Sequence, residues 1–138
     1  MKSDFIVAVH GLVYLHHKGC ITSSEELAKN ICTNPARVRK VMAKVKKMGL
    51  VTTREGHVGG YCPCPSLGKA SLSMIADGLN TVFVETKWHS GSEDNTKCLV
   101  CSGMAGIFDD LYDKLDQNCK KELSKITIQK IEKEIFNK

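Results

Sequence analysis

Val38, Val41, Met42, Val45 and Met48 recur at i, i+3, i+4, i+7 and i+10, which puts them on one face of a helix turning every ~3.6 residues. Upstream, Leu27, Ala28 and Ile31 give a shorter helix with an apolar edge. Thr22, Ser23 and Ser24 stand as N-cap candidates before it, and Glu25 and Glu26 load its first turn. Thr33-Asn34-Pro35 breaks and restarts the chain, because Thr33 or Asn34 can cap the next helix and Pro35 suits its first turn. The pattern predicts helix, tight turn, helix. Gly49 is a suitable C-cap and Leu50-Val51-Thr52-Thr53 reads as a strand. Gly56, Gly59 and Gly60 supply the backbone freedom of a hairpin tip before Tyr61 resumes extended structure. Pro63 removes a ladder donor, so the second strand is expected to be short or at an edge.

A second amphipathic pattern lies near the C-terminus. Met104, Ile107, Phe108, Leu111, Tyr112 and Leu115 keep helical spacing, Cys119 continues the face, and Asp109, Asp110, Asp113 and Lys114 take the other side. Intramolecular core is the plainer use of such a stripe. The elements upstream are too few to cover it, so Met104, Ile107, Phe108, Leu111 and Leu115 are assigned to a homodimer interface. A last helix, from Lys120 or Ser124 to Phe136 with Leu123, Ile126, Ile131 and Ile135 apolar, is expected to pack against the first helix of the same or the other copy.

Charge adds a direction to the pattern. Between Arg37 and Lys47 six residues are basic and none is acidic. Arg37, Lys40, Lys44 and Lys47 form a second stripe beside the apolar one, available to a polyanion. A solvated basic face would need no partner. The hairpin that follows favours the DNA reading, because its tip residues Arg54 and His57 sit where a wing reaches a minor groove or phosphate. Residues 1 to 65 hold ten Lys or Arg against four Asp or Glu, a balance of +6, while residues 66 to 138 hold ten against eleven, a balance of −1. The polyanion-binding part is therefore the N-terminal head. No stretch approaches the ~18 apolar residues of a membrane span and no signal peptide opens the chain, so no membrane partner and a cytoplasmic location are expected. Catalysis is not expected, since no nucleophile with a base, phosphate-cradling glycine loop or paired carboxylates stands at motif spacing.

Taken together, Thr33-Asn34-Pro35 to Arg37-Val38-Arg39-Lys40, Lys46-Lys47-Met48-Gly49-Leu50-Val51, and Arg54 to Gly59-Gly60-Tyr61 resemble the Rrf-two family of bacterial winged helix-turn-helix regulators, with its IscR-, NsrR- and CymR-type branches. The resemblance extends to Ser3–Leu15 as a first helix and Ala70–Gly78 as a short helix after the wing. It implies a mainly α fold with a small β wing: a winged helix-turn-helix DNA-binding domain at 1–80, a cysteine-containing loop at 81–103, and dimerisation helices at 104–138. It also implies a homodimeric repressor on double-stranded DNA, binding a partly palindromic operator. Ser24, Asn34, Pro35, Arg37, Arg39, Lys40, Lys44, Arg54, His57, Gly59, Gly60 and Tyr61 would lie on or near that DNA. Asp4 stands where many relatives carry a basic residue, which is expected to weaken a phosphate contact.

Seven cysteines are too many for a disulfide scaffold in a cytosolic chain, which leaves metal binding, redox sensing or incidental thiols. Cys98-Leu99-Val100-Cys101 follows the loop in which the cluster-binding relatives keep three regularly spaced cysteines, and here only Cys98 and Cys101 occur. Cys62 and Cys64 would complete a four-thiolate site only if the wing base approached that loop, and a CxC beside proline is awkward for one tetrahedral ion. No cofactor is assigned, and spacing disfavours an iron-sulfur cluster or zinc on Cys62, Cys64, Cys98 and Cys101. Thiol switching at Cys98 and Cys101 is the alternative, favoured by Lys97 and by a helix starting after Ser102-Gly103. Cys20, Cys32 and Cys119 read as small core or helix residues. His10, His16 and His17 read as packing or surface residues. Trp88 reads as a buried anchor for the loop, with His89 beside it as a ligand candidate. Two functions remain beside thiol-switched regulation: a metal- or iron-sulfur-sensing regulator, and an adaptor that docks an acidic protein.

Overall fold

Ser23, Asn34, Ser71 and Thr127 each precede a helix, and each side-chain oxygen accepts a backbone N–H of the first turn, from Glu26, Arg37, Met74 and Lys130 respectively. Each such cap contributes about 1 kcal/mol and fixes where its helix begins. The computed structural model describes residues 2–137. The helices are α1 (Lys2–Lys18), α2 (Ser24–Ile31), α3 (Pro35–Lys47), α4 (Leu72–Gly78), α5 (Leu99–Leu123) and α6 (Ile128–Phe136), with a hairpin of β1 (Val51–Arg54) and β2 (Gly60–Pro63) between α3 and α4. None of the described helices is long and apolar enough to cross a membrane.

The helical spacing read from the sequence is the core. Val38, Val41, Met42 and Val45 of α3 are buried against Leu12 and Leu15 of α1, Leu27 of α2 and Ile75 of α4. α2 ends at Cys32, which adopts a left-handed φ of 66° and sends its N–H to Ala28 O. Of the expected core or helix positions, neither Cys32 nor Cys20 is a core one, since both are exposed, and Cys32 is the C-cap of α2. A helix cap and a turn need the backbone there and leave the side chain in solvent.

β1 and β2 pair antiparallel, with Val51 opposite Pro63 and Arg54 opposite Gly60. Pro63 falls at the end of a short strand, where its missing donor costs least. On the other edge of β2, Tyr61 exchanges two backbone hydrogen bonds with Thr22, at 3.0 and 2.8 Å. Thr22 is thus a strand partner, and the cap of α2 is Ser23. A Cβ on Gly60 (φ +152°) would stand 2.3 Å from the Thr22 carbonyl oxygen, so this approach requires glycine.

α6 packs on α1 of the same chain, and Ile128 is fully buried in the head's core. Leu72 donates to Ile126 O at 2.9 Å and Ile128 to Ala70 O at 3.1 Å, stitching the start of α6 to the start of α4. His16 and His17 both donate through Nδ1 to the Glu132 carboxylate, and the His17 ring stacks on Phe136 at 3.8 Å. Burial pushes the Glu132 carboxyl up, but the two imidazole hydrogen bonds outweigh it and hold the group below its ordinary value.

α5 is tied to the head by one buried carboxylate. Asp116 accepts the N–H groups of Phe83 and Val84 at 2.7 and 3.1 Å and lies 3.6 Å from Lys120, which also reaches Asp77 of α4 at 3.3 Å. Burial raises its pKa, while those two N–H groups and Lys120 lower it further, leaving it depressed. A depressed folded-state pKa gives stability that is present above the unfolded value of ~3.9 and is lost as pH falls through the folded value. Asp116→Asn is therefore expected to destabilise by about 1–3 kcal/mol at pH 7. The gap between urea melts of the two proteins should narrow progressively as pH falls below the unfolded value of ~3.9, and a gap that does not change with pH would exclude a charge-based clamp.

Phe83, beside that clamp, packs edge-on against Phe5 of α1 with centroids 5.2 Å apart. It does what was expected of Trp88, which is 76% exposed. The reason is position: Asp116 fixes the backbone at residues 83 and 84, well before the indole.

Candidate nucleic-acid interface

With the apolar face of α3 buried, Arg39, Lys40, Ala43, Lys44 and Lys47 face solvent. Asn34 caps the helix and Pro35 opens it, so the exposed N-terminal half is the end that a helix-turn-helix presents to base edges. Lys40, Lys44 and Lys47 carry no ion pair among the described residues. Lys46 donates to Thr53 Oγ1 at 2.9 Å and ties α3 to β1.

Arg37 behaves differently from the expected free DNA contact. Its Nε and Nη2 donate to Asp4 Oδ1 at 3.2 and 3.0 Å, and Nη2 also reaches Ser3 Oγ at 2.6 Å. The guanidinium therefore holds α3 to α1, and Asp4 acts by engaging Arg37 directly. Arg39 is held more loosely. Its Nη1 lies 3.3 Å from Ser24 Oγ and 3.8 Å from Glu25, on an exposed surface. Such a pair is worth less than about 1 kcal/mol and yields readily to a phosphate.

Arg54 closes β1, and His57 stands in the tip between Arg54 and Gly60, both exposed. Gly59 donates to Gly56 O at 3.0 Å to close the turn, and a Cβ there would meet Arg54 O at 2.6 Å. Gly59 and Gly60 thus shape the wing. Tyr61, expected at the DNA, is only 8% exposed. Its ring belongs to the head's core, and burial pushes the phenol up. Val58 at the tip, 75% exposed, is a further surface residue beside the expected set, and its place in the tip was the available signal. Lys47 of the basic stripe is exposed.

α5 starts at Leu99, ahead of the Ser102-Gly103 start read from the sequence, because Cys98 is its N-cap. Cys98 Sγ accepts the Cys101 N–H at 3.4 Å. The preceding segment folds back on this turn, with Ser92 donating to Cys101 O at 3.0 Å. Cys98 is exposed and Cys101, Cys62 and Cys64 are half-buried. Among the described residues no three His, Cys, Asp or Glu side chains converge as a metal-binding group, so Cys62 and Cys64 do not join Cys98 and Cys101 in one donor set.

The α5 stripe stays uncovered by its own head. Met104, Ile107, Phe108, Leu111 and Leu115 are 38 to 63% exposed, and Leu99 and Val100 more so. A contiguous apolar face of this kind marks an interaction surface.

A family-wide profile for Rrf2 (Rrf-two), described as an iron-dependent transcriptional regulator, matches residues 1–134. The chain is similar to a Bacillus subtilis (strain 168) protein named as an HTH-type transcriptional regulator, YwnA, at 26% identity over 140 residues, covering 99% of each chain. Among solved structures, a protein from Lactobacillus plantarum described as a transcriptional regulator has the same fold, with a TM-score of 0.86, 23% identity, and coverage of 98% of this chain and 91% of that one. IscR of T. potens shares it at a TM-score of 0.71 and 15% identity, over 99% of this chain and 88% of that one.

Proposed function

Because the chain belongs to the Rrf2 family of transcriptional regulators, we propose that it acts as a homodimeric repressor in the cytoplasm, each copy laying the N-terminal half of α3 in a major groove. The observation that carries this reading is the face of α3 itself: buried valines on one side, and on the other Lys40 and Lys44 exposed beside the readily exchanged Arg39. The wing, through Arg54 and His57, would meet the adjacent phosphates. Pairing along the α5 stripe would set two heads on one duplex and make a partly palindromic operator the preferred site.

Iron, named in the family's description, does not fit the donors of this chain, since the Cys98 sulfur caps α5 and no three candidate ligands converge among the described residues. The signal is assigned to the Cys98 and Cys101 thiols. A peroxide that oxidises the Cys98 thiol to the sulfenic acid, its O–O bond breaking and its other oxygen leaving as water or alcohol, would change the sulfur that caps α5 and alter the link between head and dimer helix.

The test is binding of the purified protein to duplex fragments from around its own gene, with thiols reduced and then oxidised. Saturable binding is expected whose log K falls linearly with log salt, by about 0.9 for each phosphate neutralised, and oxidation should change the affinity. Absence of any saturable, salt-sensitive binding would overturn the reading in favour of an adaptor docking an acidic protein.

A further inference from the structure

The segment before α5 lies against that helix and leaves a half-open cavity of about 170 Å³ between them. Trp88 and His89 come from the segment, and Ala105, Phe108 and Tyr112 from α5. The Phe108 and Tyr112 rings stand edge to face, with centroids 6.3 Å apart at 82°. Drug-sized ligands take about 300–1,000 Å³, so this volume suits a headgroup. On the same helix, next to Phe108, the exposed Asp109 accepts from His89 Nε2 at 2.7 Å and brings a carboxylate to the cavity's rim. Aromatic faces attract cations through their quadrupole, and Trp is the strongest of the three.

We propose that Trp88, Phe108 and Tyr112 form a receptor site for a small alkylated ammonium compound. A metal ion would need converging donors, which the cavity does not offer. A neutral apolar ligand would gain nothing from the Asp109 carboxylate. A quaternary head has both features the site calls for, positive charge and an apolar periphery that is easily desolvated. Phe108 also belongs to the exposed α5 stripe, and the same segment is anchored at Phe83 and Val84 on Asp116. Occupancy therefore bears on both the dimer face and the link to the head, a regulatory consequence that rests on the function proposed above.

Trp88 is the only tryptophan of the chain, so its emission reports the site directly. The full chain is titrated with choline chloride, with sodium chloride holding ionic strength constant, and separately with 3,3-dimethylbutan-1-ol, the uncharged counterpart of the same shape. The expected result is a saturable emission change with choline, with the alcohol at least about fivefold weaker. Tyr112→Leu and Asp109→Asn should each weaken choline binding, and Asp109→Asn, a surface change, keeps the test usable if the first variant misfolds. No saturable response to choline, an equal response to the alcohol, or unchanged affinity in Asp109→Asn and in a folded Tyr112→Leu would each overturn the proposal. The readout needs no DNA, so its failure is separate from a failure of operator binding.

Discussion

Replacing Arg39, Lys40 and Lys44 together by alanine is expected to weaken operator binding by at least roughly a hundredfold at ~0.15 M salt, and to flatten the salt dependence by about 0.9 for each phosphate left without its cation. These three side chains lie on the solvent face of α3, and none supports the core. Circular dichroism and melting temperature should therefore stay close to those of the unmodified protein. A dimer presents the set twice, which is why the effect is large. Arg37→Ala, on the same helix, should behave in the opposite sense. Its guanidinium is held by Asp4 and Ser3, so thermal stability should fall while the salt slope is kept. Fluorescence anisotropy on labelled duplex at several salt concentrations separates the two. Unchanged affinity in the triple variant would remove α3 from the DNA.

Leu111→Glu should break the proposed dimer. Leu111 lies mid-stripe on α5 and is 44% exposed in the single chain, so a carboxylate is tolerated there without a partner. In a paired α5 interface the same carboxylate would be buried against apolar side chains at a cost of several kcal/mol. Light scattering should find a folded monomer, with affinity for a two-half-site operator lowered by about 10²–10⁴ because the second half-site is no longer met by a linked head. A variant that stays dimeric with unchanged DNA affinity would place the interface elsewhere.

What the sequence revealed about this molecule follows the range of the interactions concerned. The helix-turn-helix was legible because its signals are local: the i, i+3, i+4 valines of α3 and the Asn34-Pro35 start lie within a few residues of one another. The pairing of Arg37 was not legible because its partner, Asp4, is 33 residues away. The burial of Tyr61 was not legible for the same reason, since its backbone partner Thr22 lies before α2, far from the wing in sequence. The start of α5 was misplaced because cysteine is not among the residues that signal an N-cap, yet a sulfur serves at Cys98. The α5 stripe was fully legible, and its exposure in the single chain supports the expectation that something covers it.

The stitching of α6 into the head has a consequence for how the protein is made. Ile128 is buried in the head's core, with α6 packed on α1 and on the turn Leu67–Lys69, and the backbone around Ser71 is completed by residues 126 to 128. During synthesis α3 and the wing therefore emerge long before the last wall of their core, and contacts this distant in sequence close late. A nascent or prematurely terminated chain lacking α6 carries every DNA-facing side chain on an unfinished support. Such fragments are expected to melt lower and to be cleaved by protease faster than the full chain, so the DNA-facing surface gains a stable support only when α6 is in place.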